Sequence, residues 1–456
     1  MSDRCVITLP LKTEIWQEDI INKRFEIHRQ VYNAMLGYEL KKLNSLKRNQ
    51  EYIEVNNKLY ELASSGQKGS TEYKNAGKKR NTLLKDYGLT EFDFVKDALK
   101  FSKHFSENIA SKVANYSIGK PMWQAFDKML YGSGEKVSFK YKDSINSVAS
   151  DGNSAIKIVD EEGVRIGYRV AEQKLFVLYG TRGNKVLKMP IKLNLKNTYE
   201  LEMLSMDFKQ VRVLRRKEKG RYKYYVQICV DGKPAVKYDK DTGELKHPMG
   251  NGKVGVYITT TSVTAATNGK IYSYSLSNGV PDYSDRIAEL QQYMDNSRRA
   301  TNPDNYNADG TIKKGIIENG KRLRLRWNFS NRYVKAKNEV AELRRLEKVK
   351  RKLHHQKLAN EILSLGNDFR VNEYSFAMSA KRSEEDKLKA DGTPASKKRG
   401  GKNISRNAPA MLIDILTTKV AATEQGIVTK YKLSEEQDFL ETRYDGEKWS
   451  AFLLDM

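Results

Sequence analysis

Residues 253–280 constrain the fold of this chain more than any other stretch. The run KVGVYI is apolar and β-branched, TTTSVTAAT continues with strand-forming residues, and KIYSYSL alternates with a period of two. Asn268-Gly269, between the last two runs, is a dipeptide that strongly favours a two-residue hairpin turn. The stretch therefore predicts a β-sheet that opens with a hairpin, and it contains neither Asp nor Glu.

The hydrophobic period changes along the chain and predicts where helices and strands lie. Residues 5–11 form one β-branched run, and from about 14 to 131 apolar residues recur at helical spacing. From about 136 the period returns to two, and the runs VSFKYK, AIKIV, VRIGYRV, KLFVLYG and VLKMPIKL predict the short strands of a barrel or sandwich. A polar linker at 232–253 then leads into an α/β segment with a long basic helix at 334–363, whose apolar stripe would include Val349 and Leu353.

The charge of the chain indicates a polyanionic partner. There are 82 Lys and Arg against 57 Asp and Glu, which gives a net charge of +25. A merely solvated surface is the alternative, but arginine and tyrosine alternate in VRVLRRKEKGRYKYYVQ, and such side chains pair with phosphates and stack on unpaired bases. Cys5 and Cys229 are isolated, which excludes a disulfide framework and a zinc ribbon. With no long apolar run and no signal-peptide pattern, we expect no membrane contact and a cytoplasmic protein of the bacterial nucleoid.

Several stretches together resemble one family. They are KVGVYITTTSVTAATNGK, NSRRATNPDNYNADGTIKKGIIENGKRLRLRW, RKLHHQKLANEILSLG, KRGGKNISRNAPAMLIDILTTKV and WSAFLL. They are similar to the RNA-guided TnpB nucleases of insertion sequences and, more distantly, to type V CRISPR effectors. The resemblance implies a multidomain α+β protein. A β-barrel wedge domain (1–13 and 136–250) would carry an inserted helical recognition lobe (14–135). An RNase H-like (RuvC) α/β domain (251–456) would follow, C-terminally shortened and without a zinc finger.

The family's chemistry needs an Asp, a Glu and an Asp that together hold two divalent ions. The family pattern GIDIG becomes GVYIT here, which puts Tyr257 at the first acid position. The pattern VExxNF, aligned on Phe376 and Arg382, puts Asn372 at the second, and RDLYSAFL becomes GEKWSAFL, with Glu447 at the third. A neutral phenol, a neutral amide and one longer carboxylate make a poor ligand set for hard cations. We therefore expect a degenerate active site without a Mg²⁺ site, and no cofactor needed for binding.

The resemblance and the lost acids together suggest a nuclease-dead, RNA-guided DNA-binding protein. It would hold a guide RNA, read a short motif beside a double-stranded DNA target, form an R-loop and stay bound, with one monomer per guide. Nuclease-dead TnpB-like repressors (TldR) are the subgroup it most resembles, so transcriptional repression would follow. Relatives can trim their own RNA with the RuvC site, and this chain should not.

Two other hypotheses remain open. One is an active endonuclease with a rearranged site, built from Glu373, Glu447 and either Asp445 or Asp455. The other is a DNA-binding subunit of a transposon or CRISPR complex that acts only with other proteins.

Candidate contacts follow from position in the sequence. The RNA-binding candidates are Arg212, Arg215, Arg216, Lys217, Lys219, Arg221, Lys223, Arg298, Arg299, Lys313 and Lys314, and Tyr222, Tyr224 or Tyr225 could add a stacking face. The DNA-binding candidates are Arg24, Gln30, Tyr32 and Asn33, whose side chains suit base edges or stacking, and Arg344, Lys348 and Arg351 on the long basic helix. His354 and His355 have no acidic or cysteine cluster nearby, so a metal role is not expected there.

Overall fold

The computed structural model describes residues 4–131, 134, 136–152, 154–162, 174–180, 186–239, 241–318, 321–373, 376, 401–433, 435–436 and 438–456. Its contacts divide the chain into two compact units. The first comprises Met1–Arg216 and Tyr222–Gly232, and the second comprises Lys217–Arg221 and Lys233–Met456. The three domain boundaries proposed from the sequence stay predictions.

The first unit contains the predicted helical segment. Its helices are α1 (Ile15–Leu46), α2 (Gln50–Ser64), α3 (Thr71–Asp86), α4 (Glu91–Ser102), α5 (Ser111–Ala114), α6 (Lys120–Leu130) and α7 (Thr198–Leu204). A 3₁₀ turn (Lys103–Phe105) follows α4, and a π-helical turn (Asn115–Gly119) joins α5 to α6. Side chains that include Phe25, Met35, Phe94 and Phe126 are fully buried and form the core of the helical segment.

Two antiparallel sheets complete the first unit. Strands β1 (Arg4–Pro10), β2 (Ser147–Asp151), β6 (Phe208–Glu218) and β7 (Arg221–Asp231) pair in the order β1-β7-β6-β2, and β3 (Ile156–Val159), β4 (Phe176–Tyr179) and β5 (Leu187–Pro190) form a second sheet. A bridge between Leu11 and Ile191 links the two sheets. The first strand of the sequence therefore joins the later strands as predicted, and closure into a full barrel stays a prediction.

The second unit is built on a five-stranded mixed sheet. Its strands are β8 (Lys253–Ile258), β9 (Ser262–Thr267), β10 (Lys270–Ser275), β13 (Asp368–Asn372) and β14 (Ile427–Tyr431), in the order β10-β9-β8-β13-β14. The hairpin turns at Asn268-Gly269, where both residues have positive φ, as a primed turn requires. Strand β13 runs parallel to both β8 and β14, so the α/β character predicted for this half of the chain is confirmed.

Helices cover both faces of that sheet. They are α8 (Ser284–Thr301), α9 (Asn331–Leu363), α10 (Gly401–Asn407), α11 (Pro409–Thr423), α12 (Phe439–Thr442) and α13 (Gly446–Asp455), with a short pair, β11 (Ile316–Glu318) and β12 (Lys321–Leu323), between α8 and α9. Val254, Val256 and Ile258 of β8 pack with residues of α9 and α11 in one apolar cluster. The alternate residues Gly255 and Tyr257 face α13.

Several sequence predictions need correction or fall outside the described residues. The run VSFKYK (137–142) is not a strand but a loop pinned along α1. Val349 and Leu353, predicted on a buried stripe of α9, are about half exposed, because the buried face of the helix shifts to His355, Leu358 and Ile362 further along. The predicted strand at 164–170 and most of the low-complexity stretch at 381–403 lie outside the described residues. No helix in the described part of the chain is both long and apolar enough to span a bilayer.

Candidate nucleic-acid interface

Tyr257 fills the first position at which the resemblance implies a metal-binding acid. It lies near the end of β8, is 3% exposed, and packs with Leu433, Phe439, Trp449 and Leu453 in an apolar cluster. Its hydroxyl donates a 2.6 Å hydrogen bond to the main-chain carbonyl of Arg443. A buried phenol normally has such a hydrogen-bond partner. Here the bond satisfies the hydroxyl, and the ring packs within the apolar cluster.

Asn372 fills the second position, and its side chain is hydrogen-bonded to the main chain of the neighbouring strand. Its amide Nδ2 donates to the carbonyl of Ile258 at 3.0 Å, and its Oδ1 accepts from the Ile258 N–H at 2.8 Å. The side chain is 2% exposed and extends the pairing of β13 with β8 beyond Val371. A carboxylate could accept but not donate, so this two-bond clasp needs an amide.

The remaining acids near these positions are spread over the surface. Glu447 is exposed in the first turn of α13, and Asp445 caps that helix by accepting from the Lys448 N–H at 2.9 Å. Asp455 is at the other end of the same ten-residue helix, which puts it roughly 12 Å from Glu447 along the axis. Glu373 is exposed just after β13. One compact site therefore cannot include both Glu447 and Asp455.

These residues do not fit a pair of divalent cations. Two hydrated ions need several oxygen ligands on a shared cavity, whereas Tyr257 and Asn372 are buried and already hydrogen-bonded. Within the described residues, no group of three or more His, Cys, Asp or Glu side chains is placed to hold a metal. We derive no metal-dependent step for this chain.

Arg24, predicted to read a base edge, is instead an internal residue of the first unit. It is fully buried, its Nη1 donates to the carbonyl of Tyr179 at 2.6 Å, and its guanidinium lies 4.7 Å from the centre of the Tyr179 ring. Burial lowers the pKa of Arg24 from its ordinary value. The periodicity of α1 could not reveal this role, because the partner is distant in sequence.

The other candidates on α1 mostly hold the loop 136–146. Asn33 donates to the Lys140 carbonyl at 2.7 Å and accepts from the Lys140 N–H at 2.8 Å. Tyr32 is buried, with the Lys140 ammonium 5.5 Å from its ring centre. Of the four α1 candidates, only Gln30 is exposed. The prediction that Arg24 and Tyr32 face a duplex is therefore corrected.

Sequence reasoning missed the side chains that this loop exposes. Phe139 and Tyr141 are exposed, and so are Lys136, Lys140 and Lys142 between and beside them. Alternating rings and ammonium groups are the chemistry of a nucleic-acid contact. The alternation of aromatic and lysine side chains is visible in VSFKYK. Predicting this run as a strand of the sheet, however, places every second side chain in the protein interior.

Arg215 of the β6–β7 hairpin is a structural clamp, not a free contact. It is 4% exposed and donates to Asn22 at 2.6 Å, to Asn146 at 3.1 Å and to the Ile145 carbonyl at 3.2 Å. Its guanidinium also lies 4.2 Å from the centre of the Tyr222 ring. The prediction that Arg215 grips RNA is corrected, because its guanidinium is engaged inside the protein.

The remaining hairpin candidates lie on or near the surface. Arg216, Lys217, Lys219, Arg221 and Lys223 are exposed, and Arg212 is half-buried beside Gln210 and Gln227. Tyr224 is buried, whereas Tyr225 is half-buried with the Arg216 guanidinium 4.9 Å from its ring centre. One tyrosine face therefore belongs to the core and the other to a basic surface, as the alternation predicted.

Arg298 and Arg299, at the end of α8, organise the loop that follows. Arg298 pairs with Asp295 and lies 5.4 Å from the centre of the Trp327 ring. Arg299 also pairs with Asp295, donates to the Gly310 carbonyl at 2.9 Å, and lies 4.9 Å from the Tyr306 ring centre. Lys313 is half-buried, and Lys314 is exposed. The two arginines are partly exposed, so their RNA contacts stay a prediction beside this internal role.

On α9 the predicted DNA contacts separate into two kinds. Arg344 and Lys348 are both exposed on the helix surface. The Arg351 Nη1 instead donates to the carbonyls of Ser405 and Arg406 at 2.7 and 2.8 Å, at the end of α10, and its DNA contact stays a prediction beside this internal role. The ring nitrogens of His354 and His355 lie 3.0 and 3.3 Å from the carbonyls of Ser275 and Leu276.

Comparison with known proteins adds little to this geometry. A scan against family models finds no match, and a search of curated proteins finds none either. Among solved structures, a Cas12f1-sgRNA-target DNA complex matches with a TM-score of 0.41 and 8% identity, covering 99% of this chain and 98% of that chain. A Cas12i-crRNA-dsDNA complex matches with a TM-score of 0.25 and 10% identity over 91% of this chain and 55% of that one. At such low scores, function has to be argued from this chain's own residues.

Proposed function

We propose that this chain is a nuclease-dead, RNA-guided DNA-binding protein that acts as a transcriptional repressor. It holds one guide RNA per monomer, reads a short motif beside its double-stranded target, opens the duplex by guide pairing and remains bound. Pairing supplies the sequence specificity, so the protein needs mainly backbone and shape contacts.

The single observation that carries the proposal is the environment of Tyr257. An acid is missing where the resemblance implies a metal ligand, and a ring packed among Leu433, Phe439, Trp449 and Leu453 replaces it. The apolar side chains at this position stabilise the sheet and occupy the space that a metal site would need. Loss of the acid without loss of the fold favours a protein that binds and does not cut.

The basic surfaces support the other half of the proposal. The chain keeps a net charge of +25, and the outward face of the β6–β7 hairpin exposes Arg216 and Lys223 next to Tyr225. The α9 surface adds Lys348 and Lys352. Neutralising phosphates with such groups supplies most of the affinity for RNA and DNA, whatever the sequence.

Sequencing the RNA and DNA that co-purify with the protein tests the proposal. Crosslinked immunoprecipitation from cells is expected to recover one abundant small RNA and one or a few genomic sites complementary to part of it. A reporter that carries such a site in its promoter should be repressed only when both protein and RNA are present. Recovery of no RNA contradicts the proposal.

A charge-reversal pair makes this experiment specific. The double variant Arg216→Glu and Lys223→Glu is expected to lose most of the RNA, because two cations of the hairpin become anions. The control, Lys74→Glu with Lys78→Glu, changes the net charge by the same amount on an exposed face of α3. Equal RNA loss in both variants would mean that total charge, not the hairpin, retains the RNA. Cleavage of a supercoiled target plasmid with guide and Mg²⁺ would contradict the nuclease-dead assignment.

A further inference from the structure

Two aromatic rings are stacked at the surface where α9 begins. The rings of Phe329 and Tyr333 lie nearly parallel, with centroids 4.5 Å apart and planes inclined by 20°. Phe329 is 46% exposed, and Tyr333 is half-buried. About half of the Phe329 surface is therefore accessible to a ligand, next to a second ring that is already stacked on it.

The backbone around the pair is held in place. The Ser330 side chain caps α9 by accepting from the Tyr333 N–H at 3.1 Å, and its hydroxyl lies 3.1 Å from that of Ser297. Asn302 bonds the main chain of Asn328 in both directions, at 2.7 and 2.8 Å. The rings are therefore presented by a pre-ordered segment, which lowers the entropy cost of binding.

This scaffold extends to the preceding strand end and to α8. Asn305 donates to the Arg326 carbonyl at 2.7 Å, and the Arg298 guanidinium lies against Trp327. Asn302 and Asn305 are both buried although they are polar. Asn302 and Asn305, in the stretch NPDNYNADG, thus hold the loop in place through internal hydrogen bonds. Contact with nucleic acid is left to other side chains of the segment that they fix.

Those side chains are cationic. Arg324, Arg326, Arg332 and Lys335 are exposed, and each lies within five residues of Phe329 or Tyr333 in the sequence. Guanidinium groups in the same segment as a partly exposed ring suit a nucleotide, because the ring can stack on the base while the cations pair with its phosphates. A protein or lipid partner would cover the ring but would not account for the concentration of arginine.

We propose that this aromatic platform, formed by Phe329, Tyr333, Arg324, Arg326 and Arg332, binds an unpaired nucleotide of the RNA. The inference rests on the proposed function, since it assigns one contact of the RNA held there. RNA is chosen over a displaced DNA strand because loops and bulges of a folded RNA offer splayed bases before any target is bound. Duplex DNA covers its base faces by stacking.

Affinity measurements on purified protein and its co-purified RNA test the stacking. The double variant Phe329→Leu and Tyr333→Leu keeps apolar contact but removes both ring faces, and its RNA Kd is expected to rise about tenfold. Tyr60→Leu removes an aromatic ring that is 76% exposed on α2, and it should leave Kd unchanged. Unchanged affinity in the double variant, with thermal unfolding also unchanged, overturns the proposal.

Salt dependence separates stacking from phosphate pairing. Replacing Arg324, Arg326 and Arg332 by Gln should flatten the slope of log Kd against log salt by about 0.7 for each phosphate that the protein no longer neutralises. The double leucine variant should weaken binding at every salt concentration without changing that slope. An altered slope in the leucine variant would show that the rings only position the arginines, and this overturns the stacking role.

Ultraviolet crosslinking with mass spectrometry identifies the strand. Crosslinks from the RNA to the peptide that contains Phe329 are expected in the binary complex, before target DNA is added. Crosslinks that appear only with target DNA, and to DNA, would overturn the choice of RNA. If the wild type recovers no RNA at all, the proposed function fails. If it recovers RNA that crosslinks elsewhere, only this inference fails.

Discussion

Tyr257 illustrates how one side chain at the end of a strand can serve packing where the resemblance implies a metal ligand. At a metal site this position would need a small anionic group facing water and cations. Here the ring is enclosed by Trp449 and its neighbours, and the hydroxyl is satisfied by a main-chain carbonyl. The energetic consequence is that the position contributes to folding, so restoring an acid would oppose the packing.

Substitution of Tyr257 should distinguish its ring from its hydroxyl. Tyr257→Phe removes one hydrogen bond to Arg443 and is expected to cost about 1 kcal/mol of unfolding free energy. Tyr257→Asp empties the ring's space and buries a carboxylate, so about 3–5 kcal/mol is expected. Urea unfolding measures both values. The matched changes at Tyr444, which is 79% exposed, should each stay within about 0.5 kcal/mol. A stable Tyr257→Asp variant that cleaves DNA with Mg²⁺ would contradict the packing role.

Asn372 gives a second residue-scale prediction, because its amide both donates and accepts. Asn372→Asp keeps the shape but places a carboxylate oxygen against the Ile258 carbonyl. We expect a loss of about 1–3 kcal/mol in unfolding free energy, since one buried hydrogen bond becomes a repulsion. Chemical denaturation of the variant is compared with Asn251→Asp, an exposed position in the same unit. Equal stability of the two variants would mean that the clasp contributes nothing.

At the residue scale, the sequence predicted where a residue lies in the secondary structure better than it predicted what the side chain contacts. It placed Tyr257 and Asn372 on two strands, and β8 and β13 are indeed neighbours in the sheet. It could not recognise Arg24 or Arg215 as buried, because their partners, Tyr179 and Asn22, are far away in the sequence. Basic side chains within an amphipathic pattern read as surface unless the tertiary contacts are known.

At the scale of elements, the terminal helix α13 lies almost in contact with the β8 backbone. A Cβ atom built on Gly255 would lie 2.0 Å from the Ser450 carbonyl oxygen and 2.5 Å from the Leu454 nitrogen. Only hydrogen fits between strand and helix at this crossing. The packing of α13 against Tyr257 therefore depends on a glycine two residues earlier in the strand.

Replacing Gly255 with Ala should push α13 away from the sheet. Overpacking of this kind costs about 1–3 kcal/mol or more, because the clash is with main-chain atoms that cannot rotate aside. Thermal unfolding and limited proteolysis of the C-terminal helix measure the effect. Gly77→Ala, on a helix with no atom within 4 Å of the new methyl group, should be neutral or slightly stabilising. A wild-type protease pattern in the Gly255 variant would contradict the close-packing argument.

A buried charge cluster joins helices α1 and α4. The Lys42 ammonium lies 3.1 Å from a carboxylate oxygen of Glu39 and 2.6 Å from one of Asp97, and it also donates to the Gly88 carbonyl. Glu39 is fully buried. Burial raises the pKa of Glu39 to about 8, above its ordinary value of 4.5, although Lys42 opposes the shift. One lysine beside two carboxylates leaves one of them favoured in the protonated form.

This shift predicts that the first unit loses stability as the solution becomes alkaline. A folded-state pKa above the unfolded value means that the native state holds the extra proton, so stability falls as pH rises from the unfolded value of 4.5 through about 8. The buried His28, with a pKa lowered to about 4, acts in the opposite direction but only below its ordinary value of 6.5. Thermal unfolding from about pH 6.5 to about pH 8 therefore reports mainly on Glu39, because the buried Cys5 thiol, whose pKa burial raises from 9.0 to about 11, adds the same trend only at higher pH.

The variant Glu39→Gln should flatten this pH dependence, because the amide keeps a hydrogen-bonding side chain without the titrating proton. Its melting temperature should exceed that of the wild type at the alkaline end. Glu51→Gln removes a carboxylate from an exposed pair with Lys79 and should run parallel to the wild type. Parallel curves for all three proteins would show that Glu39 is ionised throughout.

Sequence patterns predicted elements correctly where local conformation determines them, and failed where contacts with distant residues do. The Asn268-Gly269 turn was predicted because its positive φ angles favour those residue types locally. The run 137–142 was mistaken for a strand because its alternation is real, while the main chain of Lys140 bonds to the Asn33 side chain of α1 and not to a neighbouring strand. Helix α11 begins only at Pro409, after Ala408 in the left-handed region, a break that the apolar spacing hid.

At the scale of the whole molecule, the chain combines a net charge of +25 with neutral side chains, Tyr257 and Asn372, at two positions where the resemblance implies acids. A protein of this kind gains affinity by displacing counterions from phosphates. Within its described residues, no group of three or more His, Cys, Asp or Glu side chains is placed to hold a metal ion, whereas cutting the phosphates by the family's chemistry would need two. Binding and cleavage are thus separable properties, and on our proposal only the first is retained.

The same separation predicts how the RNA partner matures. A relative with an intact metal site can trim its own precursor, whereas this protein should leave a purified precursor RNA full length in Mg²⁺. Cell extract should shorten that RNA to the length recovered from cells, because host ribonucleases then supply the ends and the protein protects the part it covers. Denaturing gels of end-labelled precursor measure both reactions. Trimming by purified protein would contradict the prediction if it disappears in the double variant Asp445→Ala and Glu447→Ala, since a contaminating ribonuclease would survive those substitutions.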